Sequence, residues 1–173
     1  MDIQQQKSWN ILLIGDHCLD VYHYGYCDKL SPEAPVPILK QQKTEIKMGM
    51  SSNVKLNMQS FGLNVNHFYN KELKDLIRYD IGEEKSLQSF DLNLLKKEIN
   101  QYDAVVLSDY NKGFITYEIA QEICNQFYET PIFVDSKKKD LSCYKNVYIK
   151  INKKEYNELK KQPINSEFIV TLG

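Results

Sequence analysis

The sequence predicts an α/β fold, a mainly parallel sheet with flanking helices and a small β lid, on three observations. Short apolar runs alternate with segments whose apolar residues recur every three or four positions, a βαβ rhythm that implies right-handed crossovers and a ligand edge at the strand C-termini. The first run, Ile11-Leu12-Leu13-Ile14, is unbroken, as expected of a strand covered on both faces. A proline-bearing stretch, Ser31-Pro32-Glu33-Ala34-Pro35-Val36-Pro37, interrupts the rhythm with backbone that cannot be helical and suits an edge or a lid. By length the 173 residues form one domain, with the lid at about residues 20–42.

The elements follow in order. Residues 21–26 alternate apolar and polar side chains, as do residues 35–41, so both read as extended lid strands. Residues 51–61 read as the first helix: Val54, Met58 and Phe61 share a face, Ser51 or Ser52 is placed to cap the start, and Gly62 to close the end. Residues 70–85, polar around Arg78-Tyr79-Asp80, are the candidate linker, and residues 91–100 carry Leu92, Leu95 and Ile99 at helical spacing. A strand over 104–107 then leads through the turn Asn111-Lys112-Gly113 to a helix capped by Thr116, its apolar face Ile119, Ala120, Ile123, Cys124 and Phe127. Pro131 stops that helix. Strands are predicted at 132–135, 147–151 and 168–172, with a helix over 152–161 before the last.

Charge and cysteine usage narrow the function classes. The 22 basic and 23 acidic residues are mixed along the chain, which argues against a nucleic-acid footprint or a polybasic membrane anchor. No apolar run reaches membrane-spanning length and the first seven residues are polar, so a cytoplasmic chain is expected. Cys18, Cys27, Cys124 and Cys143 are too scattered for a disulfide framework or a zinc ribbon, and a metal site from His17, Cys18, His23 and Cys27 matches no ligand spacing of known geometry. His17 and His23 are read as polar residues near a pocket or on the surface.

The chemistry lies at the predicted strand ends. Asp16 and Asp20 follow the first strand; ionised carboxylates accept strongly from sugar hydroxyls, and the plainer reading is a helix-cap or turn aspartate. Gly49 and Asn53 flank the start of the first helix, where a primary amide both donates and accepts. Asp109 and Lys112 lie in Ser108-Asp109-Tyr110-Asn111-Lys112-Gly113, Lys137 in Asp135-Ser136-Lys137, and Asn152 and Glu155 in Asn152-Lys153-Lys154-Glu155. By composition alone residues 137–139 read as a solvated loop and residues 152–155 as an exposed helix start.

In order and spacing these pieces resemble the N-terminal part of the ribokinase-like (PfkB) carbohydrate kinases, closest to the D-glycero-D-manno-heptose-7-phosphate kinase branch of the ADP-heptose pathway. The resemblance is dense before residue 65 and from 104 to 155, and weak between. It implies a ribokinase-like fold, truncated at its C-terminal side. It implies a sugar-phosphate substrate held by Asp16, Asp20, Gly49, Asn53, Asp109 and Lys112. It also implies ATP and Mg2+, with Lys137, Asn152, Glu155, Thr171 and Gly173 on the nucleotide and Glu155 reaching the metal through water. Met50 stands where the family has the second glycine of a pair. Lids of this kind clasp in pairs, so a homodimer through the lid is expected. The family's Gly-Ala-Gly-Asp motif, which supplies the catalytic base and anion hole, does not occur in the 173 residues, so no catalytic base is assigned. The chain alone is expected to be inactive, and the missing part is read as lying downstream, in a C-terminal half or second chain, or as lost in a relative that only binds.

Overall fold

The computed structural model describes residues 8–70, 89–95 and 101–172. Strands β1 (Asn10–Gly15), β4 (Asn64–Tyr69), β5 (Ala104–Asp109), β6 (Ile132–Ser136), β7 (Tyr148–Asn152) and β8 (Glu167–Thr171) form one sheet in the order β4-β1-β5-β6-β7-β8. Every pairing in it is parallel. A separate antiparallel hairpin joins β2 (His17–Leu30) to β3 (Pro37–Met50). Three helices accompany them: α1 (Ser51–Ser60), α2 (Tyr117–Gln126) and α3 (Lys153–Asn157). No described helix is long and apolar enough to cross a membrane.

The unbroken apolar run of β1 is explained by cover on both sides. Ile11 and Leu13 pack with Val65 against Val54 and Met58 of α1. Leu12 and Ile14 join the larger core on the opposite face, with Val105, Leu107, Ile132 and Val134 from the neighbouring strands and Ile119, Ala120 and Ile123 from α2. Successive strand side chains point to opposite faces, so a doubly covered strand has no polar position to spare. From β6 onward alternation returns: Ile132 and Val134 are buried while Phe133 is 40% exposed and stacks on Tyr148 with ring centroids 5.2 Å apart.

The helix ends show where local chemistry decided. Thr116 caps α2 as expected, its hydroxyl accepting from the Ile119 amide at 3.3 Å. Gly62, at φ +79°, closes α1 through its N–H to the Gln59 carbonyl. Neither Ser51 nor Ser52 caps the start of α1, contrary to expectation. Both are buried, with Ser51 Oγ 3.0 Å from His67 Nε2 and Ser52 Oγ 2.6 Å from His17 Nδ1, so tertiary partners take the hydroxyls. The helix expected over 152–161 ends at Asn157, because the chain beyond it bonds sideways: the Lys160 amide donates to Lys139 and the Leu141 amide to Lys161. Of the helix expected over 91–100, a 3-10 turn at Leu92–Leu94 capped by Asp91 is described; residues 96–100 and most of the candidate linker lie outside the described residues.

The N-cap of α1 is Met50, which has no side-chain cap and sits at φ 51°, ψ −129°. A side chain resists this backbone and glycine does not, at a typical cost of about 1–3 kcal/mol. Met50→Gly is therefore expected to raise unfolding stability by about 1 kcal/mol after the added freedom of the unfolded chain is counted, whereas Met50→Ala keeps the strain. Urea denaturation checks this, and equal midpoints for all three chains would show that the strain is relieved elsewhere.

Candidate functional site

The strand order reverses at β1, with β4 on one side and β5 on the other, and open α/β sheets bind ligands above such a point at the strand C-termini. Asp16 stands there, directly after β1, fully buried. Its Oδ2 accepts from the Tyr110 amide at 2.7 Å, while its Oδ1 is buried without a partner. Burial, and then the charge of Asp109, push its pKa up to about 6, against the lowering effect of the Tyr110 and Lys112 amides and the Lys138 ammonium. Asp16 thus carries one satisfied and one unsatisfied oxygen in a fully buried position.

Asp20 and Gly49 come from the hairpin. Cys18 pairs with Gly49 and Asp20 with Lys47, which sets all four on one face of the two strands. The Cys18 thiol donates to Asp20 Oδ1 at 3.6 Å. A Cβ on Gly49 would lie 2.5 Å from that sulfur and 2.6 Å from Asp20 Oδ2, so glycine is required here for the carboxylate to stand where it does. Asn53, in the first turn of α1, is exposed, and its side-chain amide has no hydrogen bond among the described residues. Asp16, Asp20 and Asn53 are thus delivered by three elements that meet where β1, β2 and α1 begin or end.

Asp109 is placed differently from an open ligand contact. It is fully buried, its Oδ1 accepting from the Asn111 amide at 2.9 Å. Its Oδ2 accepts from Ser136 Oγ at 2.7 Å, from Tyr144 OH at 2.6 Å and from Lys138 Nζ. Lys112 is half-buried at a cavity of about 540 Å3 that it shares with Tyr110, Thr116, Tyr117 and Lys137. The expectation of a solvated loop over 137–139 is corrected at its centre. Lys137 and Lys139 are exposed, but Lys138 is 4% exposed and ion-paired to Asp109. Sequence reading missed Lys138, Ser136 and Tyr144 because three consecutive lysines look alike, and only the alternation continuing from β6 marks the middle one as inward.

The nucleotide candidates gather at the ends of β6 and β7. Lys137 Nζ lies 2.6 Å from Glu155 Oε1 and 3.8 Å from Asp135 Oδ1. Asn152 and Glu155 form a capping box: Asn152 Oδ1 accepts from the Glu155 amide at 2.8 Å and Glu155 Oε2 from the Asn152 amide at 3.2 Å. Thr171 pairs with Asn152 across β7 and β8 and is exposed; Gly173 lies outside the described residues. A carboxylate, a primary amide and an ammonium meet at one strand edge, groups that can serve a magnesium-bound phosphate, with the Asn152 oxygen and both Glu155 oxygens now engaged by the capping box and Lys137. Among the described residues no group of three or more His, Cys, Asp or Glu is placed to hold a metal by itself. His17 and His67 lie by the α1 terminus, both against the Tyr69 ring, and burial, then Lys55 and His17, push His67 down to about 4.

No family model matches the chain. It is 33% identical to the bifunctional protein HldE of a Nitratiruptor species, the match taking in 84% of this chain and 40% of that protein. It is 31% identical to the bifunctional protein HldE of Aliarcobacter butzleri, with 93% of this chain and 44% of that protein matched. Among solved structures, the tetrameric inhibited form of phosphofructokinase-2 from Escherichia coli superposes with a TM-score of 0.54 at 12% identity, over 88% of this chain and 64% of that one. A carbohydrate kinase from Agrobacterium tumefaciens gives 0.51 at 13% identity, over 88% and 63%. The chain has the ribokinase-like carbohydrate-kinase fold. It resembles the N-terminal part of the HldE proteins and spans about two fifths of the length of those it matches. The span matched to the Nitratiruptor protein, 187 positions, exceeds the 173 residues of the chain, so the relative carries residues inside the span that have no counterpart here.

The buried Asp16 carboxylate has a measurable signature. Because the folded pKa of Asp16, about 6, lies above its ordinary value of 3.8, its contribution to stability is fully present below 3.8 and is lost as pH rises to about 6. Above that pH an ionised Asp16 opposes folding by a penalty on the order of 3 kcal/mol. Asp16→Asn is expected to raise the denaturation midpoint at pH 7 and to lose that advantage below pH 4. An unchanged midpoint at pH 7 would mean that the carboxylate is already compensated.

Proposed function

We propose that this chain is the sugar-recognition portion of a kinase acting on a heptose 7-phosphate in the ADP-heptose pathway, with ATP and magnesium as the phosphoryl donor. The observation that carries the reading is the unpartnered, buried Oδ1 of Asp16 at the point where the sheet order reverses. A sugar hydroxyl donating to that oxygen would satisfy it, and Asp20 and the free amide of Asn53 stand ready for adjacent hydroxyls. Lys112, at the cavity beside Tyr110, supplies a point charge for the phosphate of the sugar. Lys137, Asn152, Glu155 and Thr171 would hold the nucleotide phosphates and their magnesium, with Gly173 a further candidate by sequence alone. When bound, the metal neutralises charge on the transferred phosphoryl group. The similarity to HldE proteins over most of this chain supports the heptose assignment.

Phosphoryl transfer also needs a group to take the proton of the attacking hydroxyl. Asp16 and Asp20 are committed to binding in this reading, Asp109 is locked by four donors, and the Gly-Ala-Gly-Asp motif does not occur in residues 1–173. A second reading is a relative that binds sugar or nucleotide without transferring phosphate. The mutual neutralisation of Lys137 and Glu155 favours it, since both nucleotide groups are occupied. Calorimetry with heptose 7-phosphate tests the first claim: Asp20→Ala and Asn53→Ala should each weaken binding by about 1–3 kcal/mol per lost hydrogen bond. Unaltered affinity in both, or no binding by the parent chain, removes the sugar site. An ADP-release assay then separates the two readings. Turnover restored by adding a C-terminal half with the missing motif marks a divided kinase, and binding with no turnover in either case marks the binding relative.

We further propose that the lid pairs two copies of the chain, in the cytoplasm. On the face of the hairpin opposite Asp20, Leu19 pairs with Met48 and Val21 with Ile46, and Ile46 and Met48 are 64% and 55% exposed. An apolar face on a two-stranded ribbon is unstable in water unless covered. Light scattering should give a dimer that Ile46→Glu converts to monomer; a monomeric parent at all concentrations would contradict it.

A further inference from the structure

Lys138 Nζ donates to Asp109 Oδ2 and, at 2.8 Å, to the Ile115 carbonyl. Tyr144, also buried, brings its hydroxyl to the same carboxylate oxygen. The other oxygen of Asp109 takes the Asn111 amide, inside a turn that passes through left-handed backbone at Asn111 (φ 58°) and Gly113 (φ 102°). The Tyr110 amide in that turn donates to Asp16 Oδ2 at 2.7 Å. A path of hydrogen bonds joined by one stretch of backbone therefore runs from Lys138 and Tyr144, through Asp109 and the Tyr110-Asn111 peptide, to the carboxylate whose remaining oxygen is buried without a partner.

A buried lysine–aspartate pair returns less than its desolvation costs unless further hydrogen bonds complete it, and packed apolar residues often serve stability as well or better. What apolar residues cannot do is hold the Asn111 amide. We propose that Lys138 and Tyr144 are positioning residues, clamping Asp109 so that the 110–113 turn aims the Asp16 carboxylate. This rests on the reading of Asp16 as the ligand-facing carboxylate, but the clamp itself touches no ligand. The charged groups that face Asp16 are Asp109 at the end of β5 and Lys138 from the loop after β6.

The test uses the free chain. Tyr144→Phe keeps the ring and removes only the hydroxyl; Ser136→Ala, which removes another donor to the same oxygen, is the second variant should the first not fold. Carbon-13 NMR follows the Asp16 carboxyl, for which a parent midpoint of about 6 is expected. As the turn relaxes and the Tyr110 amide donates less well, the midpoint should move up, a direction that loss of packing alone does not produce. In the same variant, amide hydrogen exchange at Tyr110 and Asn111 should quicken about tenfold relative to the β5 ladder. Both readouts are required. An unmoved Asp16 midpoint, unchanged exchange at the turn, or acceleration spread evenly over β5 and β6 overturns the proposal. Neither readout involves the sugar, so failure of the clamp and failure of the sugar-kinase reading are told apart.

Discussion

Two carboxylates buried at neighbouring strand ends cannot both be ionised without compensation, and the different compensation of Asp16 and Asp109 organises this site. Asp109 receives a full countercharge from Lys138 and three further donors, so its position is locked. Asp16 receives the backbone amide of Tyr110, on one oxygen only. The pair therefore divides into a saturated carboxylate and one that keeps an unpaired oxygen at the end of β1, where the strand order reverses. Adjacent register, Gly15 beside Ser108, is what brings the two together, which is why both β1 and β5 must end where they do.

The hairpin adds a second constraint at the same place. His17 pairs with Met50 and Cys18 with Gly49, so the chain leaves the sheet and returns to it at one point, and the returning strand must turn at once into α1. Gly49 leaves room for Asp20, while Met50 bears the backbone that a glycine would hold without strain. Ser51 and Ser52 are drawn to His67 and His17, which leaves the first turn of α1 without a side-chain cap. Local helix stability is given up here for a fixed approach of three elements, the kind of conflict between levels that marks a functional region.

Much of the fold was legible because its signals are periodic. The unbroken Ile11-Leu12-Leu13-Ile14, the Thr116 cap and the Pro131 stop each depend on a few adjacent residues, and β1, α2 and β6 lie where those signals put them. The lid strands, expected at 21–26 and 35–41, instead run over His17–Leu30 and Pro37–Met50, because pairing with each other extends them past their own alternation, and no bounds were predicted for β4. What could not be read depends on distant partners. Nothing within residues 51 and 52 reports that histidines 16 and 35 positions away in sequence will take their hydroxyls. Nothing in Lys137-Lys138-Lys139 reports that the middle ammonium will meet an aspartate 29 residues back. At the candidate site, Asp16, Asp20, Gly49 and Asn53 were singled out by resemblance, and the structure places them, in that order, directly after β1, on β2, on β3 and at the start of α1. The inward turn of Asp109 was not legible, because it depends on Tyr144, whose burial no local pattern reveals.

The sheet is also unequal from end to end, and this bears on how the two halves of the site behave. Over β1 both faces are packed, by α1 on one side and by the main core on the other, so Asp16 stands on a base with little freedom to shift. Over β6 to β8 one face shows Phe133, Tyr148 and Ile169 to solvent among the described residues, and α3 is only a single capped turn and a half. The nucleotide candidates Lys137, Asn152 and Glu155 therefore sit over a sheet covered on one side, joined by ion pairs of the half-exposed kind that contribute little and exchange easily. Groups standing on the doubly covered end are therefore held in place, whereas those at the other end stand over a face that the described residues leave partly open and must gain their order from what packs or binds there. The physical reason lies in the strands themselves: continuous apolar runs specify a base packed on both faces, and alternating ones leave a face to be completed.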